Sequence, residues 1–117
     1  MATVRSVPKT EWRRFFDQLS KALLGKRAEV EVASLDLGDQ VMAEWVPMVG
    51  ITYEPNDDVL DVALNATNHL IRRPQQIGVD ETPTGVASIA VTSGDGTKHI
   101  IRLKDPVMLP AVERSAR

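Results

Sequence analysis

Two histidines, His69 and His99, are the only imidazoles in the chain, and imidazole is the side chain whose ordinary pKa suits proton transfer near neutrality. His69 is followed closely by Arg72 and Arg73. An imidazole beside two guanidiniums, with the basic N-terminal segment nearby, predicts a binding site for a phosphate or carboxylate, because an arginine fork meets two oxygens of such an anion at once. The competing reading is that Arg72 and Arg73 neutralise acidic strands. His99 alternates with Ile101 and Leu103, the pattern of a partly buried, hydrogen-bonded strand residue. A second cluster, Asn56-Asp57-Asp58 with Asp61, offers oxygen ligands of the kind that hold Ca²⁺ or Mg²⁺, with Asp57, Asp58 and Asp61 as the candidate metal set. It lacks the twelve-residue calcium loop and its closing Glu. Asn and Asp are also the residues that turns prefer, since their side chains bond their own backbone.

Other chemistries are absent. There is no cysteine, which excludes disulfides, thiolate catalysis and cysteine-bound zinc or iron–sulfur centres. Neither G-x-x-x-x-G-K nor G-x-G-x-x-G occurs, and Gly94-Asp-Gly96 is hairpin chemistry. No G-x-S-x-G elbow accompanies the serines, and the Asp57/Asp58 pair is too ordinary in turns to suggest a glycosidase. No cofactor is implied, and the chain reads as non-enzymatic.

The formal net charge of −2 conceals a segregation. Residues 1–27 carry seven Lys and Arg (Arg5, Lys9, Arg13, Arg14, Lys21, Lys26 and Arg27) against Glu11 and Asp17. Residues 28–66 carry nine carboxylates and no Lys or Arg. This pattern has two possible outcomes. The basic segment can pack beside the acidic one so that the fields cancel within the molecule. Otherwise the surface is bipolar and recruits a partner, either a second copy head to tail or a basic protein on the acidic face. Nucleic acid is a poor partner for such a chain: positive charge dominates phosphate binding, and only five aromatic residues are available for stacking.

The elements that must position these groups are legible from periodicity. Trp12, Phe15, Phe16, Leu19, Ala22 and Leu23 fall at helical spacing and predict a helix over 11–24, with Thr10 as N-cap and Gly25 just past its end. The aromatic stripe is expected to be core, completed by Trp45 and Tyr53. From residue 28 the period becomes two. Val30 and Val32 alternate with Glu29 and Glu31, and strands are predicted near 41–46, 51–54, 59–64, 77–79 and 85–103, with Pro47 and Gly50 interrupting or bulging the chain. Ser93-Gly-Asp-Gly96 marks a hairpin. Residues 65–74 read as a loop or helical turn that presents Leu70 and Ile71 to the core. Pro106 and Pro110 are expected to end the ordered chain.

The expected fold class is α+β: an N-terminal amphipathic helix packed on a small, strongly bent antiparallel β-sheet or partly open β-barrel, forming one domain over 1–110 with a disordered tail at 111–117. With 117 residues, no long apolar run and no apolar stretch after Arg5, the chain is expected to be cytoplasmic. The segments Glu11-Trp-Arg-Arg-Phe-Phe-Asp17, Gly25-Lys-Arg-Ala-Glu-Val-Glu-Val-Ala-Ser-Leu-Asp-Leu-Gly-Asp39, Ala43-Glu-Trp45, Gly50-Ile-Thr-Tyr53, Asp57-Asp58, His69-Leu-Ile-Arg72-Arg73-Pro74 and Arg102-Leu-Lys-Asp-Pro106 resemble a bacterial family known as domain of unknown function 5335. The resemblance runs from about Pro8 to Pro110. It implies one complete small domain and brings no activity, ligand or catalytic residue with it. The favoured function is a non-enzymatic binding or adaptor domain acting through protein–protein contacts, with itself or with another protein through the acidic face. The alternatives are an anion- or RNA-binding module of Sm-like type, centred on His69, Arg72 and Arg73, and, less favoured, a small enzyme.

Overall fold

A computed structural model describes residues 3–34, 36 and 38–108. In chain order the elements are β1 (Thr3–Ser6), a 3-10 turn (Lys9–Glu11), α1 (Trp12–Leu23), β2 (Arg27–Ser34), β3 (Gly38–Glu54), β4 (Val59–Leu64), β5 (Asn68–Arg72), β6 (Pro74–Thr82), β7 (Gly85–Ser93) and β8 (Lys98–Val107). The eight strands form one antiparallel sheet in the order β1-β6-β7-β8-β2-β3-β4-β5. The sheet is not closed. This corrects the α+β expectation. Among the described residues, one twelve-residue α-helix against eight strands makes the fold mainly β, with the helix as an accessory to the sheet. The predicted tail at 111–117 lies outside the described residues.

The seventeen-residue β3 organises everything else. Its first part, to Pro47, pairs with β2, and its second part, from Met48, pairs with β4. Three extra residues make this change of partner possible. Opposite β2 the register skips Met42 and gains one residue around Glu44 and Trp45; opposite β4 it skips Val49. Each bulge bends the strand and flips the face of the residues beyond it. Met42 and Val49 are therefore thrown outward, 57% and 53% exposed. Trp45 takes φ 51° and is only half-buried, so it does not complete the core as its alternation predicts.

The core lies between α1 and the inner face of the sheet. Trp12, Phe16, Leu19 and Leu23 of α1 meet Ile51, Tyr53, Leu60 and Val62, with Val30, Ile89, Val91 and Ile101 from the other strands. Trp12 stands edge-on to Tyr53 with ring centroids 5.2 Å apart and donates its indole N–H to the Val7 carbonyl at 2.7 Å. The helix begins one residue later than predicted, after the 3-10 turn, and Thr10 does not cap it. Gly25 has φ +81°, as a residue closing a helix requires.

Ser20 fixes α1 to the strand. Its hydroxyl donates to the Ile51 carbonyl at 2.7 Å and accepts from the Ile51 N–H at 2.8 Å. Past Pro47, β3 has left β2, so a helix side chain satisfies backbone groups there that a neighbouring strand would otherwise take. The helix is thus fixed to the second half of β3, while no helix side chain bonds the backbone of the first half among the described residues.

Two further segments differ from expectation. Residues 68–72 form β5 rather than a loop, paired with β4 from Val59↔Arg72 to Ala63↔Asn68. Ile71 is buried as predicted, but Leu70 points to the opposite face and is 44% exposed, because adjacent strand residues alternate sides. At the other end, β8 runs through Pro106 to Val107, so order does not stop at that proline.

Candidate functional site

The predicted anion site is divided by the pleat of β5. His69 shares the inward face with Ile71, whereas Arg72 lies on the outer face with Leu70 and is exposed. Arg73 is the single residue joining β5 to β6. It has φ 51°, its N–H donates to the Asp58 carbonyl at 2.8 Å, and its own carbonyl accepts from Gly94 at 2.8 Å. The corner fixes its backbone and leaves its side chain exposed.

The candidate metal set is similarly spread. Asp58, with φ 53° at the β3–β4 turn, accepts from the Tyr53 hydroxyl at 2.6 Å and lies 3.8 Å from Lys9 Nζ. Burial and that bond to Asp58 push the Tyr53 phenol up to about 12. Asp61 faces away on β4 and accepts from the Asn68 amide at 2.9 and 3.0 Å. Asp57 is exposed at the turn. Among the described residues, no three His, Asp or Glu side chains converge as a metal site.

His69 instead meets His99. The two rings approach across the fold from β5 and β8, His69 Nε2 to His99 Nδ1 at 3.0 Å. One nitrogen must donate and the other accept, so the neutral pair holds one shared N–H. Burial lowers the pKa of both, and His69 lowers that of His99 further while Asp95 acts against it. Nothing local in the sequence joins residues thirty positions apart; only the return of β5 toward β8 does.

This pair makes stability depend on pH. Both native pKa values lie below the unfolded value of about 6.5, so the unfolded chain binds more protons between them. The stability held by the pair is fully present above pH 6.5 and is lost as pH falls from there through the folded pKa values. Urea midpoints should drop on acidification through this window, and His69→Gln should flatten the dependence. Histidine ring resonances titrating at or above 6.5 would contradict this placement.

The most exposed feature is the first part of β3. Over 39–46 it pairs only with β2, and among the described residues no strand lies on its other side. This edge carries Val41 and Met42, 56% and 57% exposed, with Asp39 and Glu44 beside them. Behind it, Glu29 and Glu31 of β2 share one guanidinium, Arg102 Nη1, at 3.1 and 2.5 Å. Arg102 and a hydrogen bond with Asp39 hold Glu31 below its usual pKa. Arg102 thus serves Glu29 and Glu31, while among the described residues Asp39 and Glu44 have no cation within 4 Å.

The basic segment does not answer it within the molecule. Arg13, Arg14, Lys21 and Lys26 are exposed, and among the described residues none lies within 4 Å of a carboxylate. Lys9–Asp58, at 3.8 Å, is the ion pair that links the basic segment to the acidic one. Arg5 pairs with Glu81 of β6 at 2.8 Å and lies over the Phe15 ring. Arg27 donates to the Trp45 carbonyl at 3.0 Å. The two charged regions are left largely uncompensated.

Fold and surface together define a small, mainly β domain with an open, acidic strand edge. Residues 3–112 match the model of a family described as a family of unknown function (DUF5335), and the chain belongs to that family. A bacterial relative from Aquifex aeolicus (strain VF5), described as an uncharacterized protein, is 39% identical over 111 residues, covering 94% of this chain and 99% of that protein. No solved structure matches significantly. Among the described residues, no helix is long and apolar enough to cross a membrane.

Proposed function

We propose that this protein is a non-enzymatic binding domain acting through protein–protein contacts, and that it docks an extended, basic segment along the free edge of β3 over 39–46. The observation that carries this reading is the contrast between the two halves of one strand. From Met48 onward β3 is paired with β4 and held by Ser20 of the helix, whereas over 39–46 its outer edge has no partner among the described residues. Unpaired edges template the addition of another strand unless charge, proline or a covering element prevents it. Here the bulge at Met42 and the carboxylates select rather than block. A partner with alternating apolar and basic residues gains main-chain bonds, cover for Val41 and Met42, and opposite charge for Asp39 and Glu44.

The test uses a synthetic peptide of alternating Lys and Val, with an alternating Glu and Val peptide as control, titrated into isotopically labelled protein. The expected result is amide shifts concentrated in 38–46 with the Lys peptide alone, weakened by added salt. Absence of shifts at that edge, or equal shifts with the Glu peptide, would overturn the reading.

A further inference from the structure

We infer that the segment docked on the β3 edge is β5 of a second copy of this chain, so that copies join head to tail through β3 and β5. This rests on the docking reading above and names its partner. Among the described residues the sheet has three open edges: β1 and β5 at its two ends, and β3 over 39–46. β5 pairs with β4 alone. Its outer face carries Arg72 and Leu70, the latter 44% exposed, and Arg73 follows at the corner with its side chain exposed. Among the described residues, neither guanidinium lies within 4 Å of a carboxylate. Asp61, opposite Leu70 on β4, is engaged instead by the Asn68 amide.

The unpaired charges on the edge strands themselves select among the pairings. β1 carries none: Arg5 is paired with Glu81 at 2.8 Å, and Val4 stands opposite Asp80 of β6. β1 against β3 would therefore add a carboxylate to an edge that already holds Asp39 and Glu44. Two β3 edges would set those two carboxylates of one copy against the same pair of the other. Two β5 edges would bring Arg72 and Arg73 of both copies to one seam and leave the β3 carboxylates bare. β1 against β5 covers Val4 and Leu70 but meets no unpaired carboxylate on either strand. Only β3 against β5 sets cations that lack a carboxylate against carboxylates that lack a cation.

An antiparallel register satisfies charge and burial together. With Arg72 opposite Asp39, Leu70 falls opposite Val41, and the five residues of β5 fit within the open run of β3. Asp39 and Val41 share one face of β3, as Leu70 and Arg72 share one face of β5. Such a contact is heterologous. Each added copy leaves one edge of each kind open, so association continues past the dimer until a ring closes or a filament grows.

The chain has no cysteine, so introduced thiols report the contact. Directly opposed residues of antiparallel strands stand about 4.5–5.5 Å apart at Cα, within reach of a disulfide. Leu70→Cys and Val41→Cys are made as separate proteins, both at exposed positions, and one is isotopically labelled so that mass identifies the pair. Mixed at low salt under mild oxidation, they are expected to give a cross-linked heterodimer in excess of either homodimer, and about 1 M salt should suppress it. Adding Arg72→Glu to the Leu70→Cys protein should abolish the cross-link, with circular dichroism confirming that each variant keeps its fold. Light scattering of the unaltered protein at low salt should show species larger than a dimer. A wild-type monomer at low salt would overturn the inference, as would a cross-link that survives Arg72→Glu or the added salt. Leu70→Cys homodimers in equal yield would assign the contact to two β5 edges, and an equal cross-link of Val41→Cys with Val4→Cys would assign it to β1; either result overturns it. If the Lys peptide binds the β3 edge of a protein that stays monomeric, the docking reading stands and the second copy falls. If neither occurs, both fall.

Discussion

Replacing Phe16 by Ala should destabilise the protein by about 3–5 kcal/mol, the usual loss for truncating a fully buried aromatic side chain. Phe16 is 0% exposed and stands edge-on to Phe15 with ring centroids 5.1 Å apart. The surrounding sheet cannot collapse into the gap without drawing the helix toward it, and Ser20 holds that helix at a fixed height above Ile51. A domain of this size has only about 5–15 kcal/mol of net stability, so the variant loses a large share of it. Urea unfolding followed by tryptophan fluorescence measures the loss, since Trp12 lies in the same core. A native-like midpoint would mean that the aromatic stripe is not the core anchor.

Features were legible in the sequence where their signal was local. The helix stripe, the hairpin at Ser93–Gly96 and the alternation of His99, Ile101 and Leu103 each lie within one short stretch of chain, and the structure has all three in the predicted state. β1 has four residues, too few to show a period, and it is held by β6, which lies some seventy residues along the chain. β5 was hidden because His69, Leu70, Ile71 and Arg72 mix polar and apolar residues on both faces. Bulges in β3 defeated a strict alternation: one extra residue at Met42 and another near Trp45 shift the faces twice, which is why a tryptophan expected inside is half-exposed and two apolar residues face solvent.

The candidate sites divide along the same line. His69, Arg72 and Arg73 are close in sequence, but the pleat and the corner at Arg73 send them in different directions. The His69–His99 contact and the Glu29–Arg102–Glu31 cluster join distant strands and had no sequence signal beyond the residue types. The segregation of charge was visible at once. Whether it cancels within the molecule was not, because that depends on where α1 sits. It is tied to the second part of β3 through Ser20 and Ile51, so Asp39 and Glu44 in the first part keep no ion pair among the described residues.

Gly85→Ala should be the most damaging small substitution in the sheet, costing about 3 kcal/mol or more from backbone strain and overpacking together. Gly85 opens β7 with φ +129°, a conformation that L residues rarely adopt. A Cβ there would lie 2.6 Å from both the carbonyl carbon and oxygen of Val107 and 2.9 Å from the Met108 nitrogen. These are backbone atoms, so no side chain can swing aside. β7 and β8 change register here, from Ser88↔Arg102 to Val86↔Val107, and the chain between Arg102 and Val107 bulges outward to allow it. Gly25→Ala separates the two contributions within the same molecule. Gly25 also has positive φ, at +81°, but a Cβ there meets nothing within 4 Å, so only the conformational cost of about 1–2 kcal/mol applies. Chemical denaturation of both variants should give the larger loss for Gly85→Ala, and equal losses would show that the approach of Val107 is not a constraint. Because β2 stands between β8 and the open part of β3, a Gly85→Ala protein that still folds at low temperature should bind the Lys peptide normally, which separates the stability of the sheet from the use of its edge.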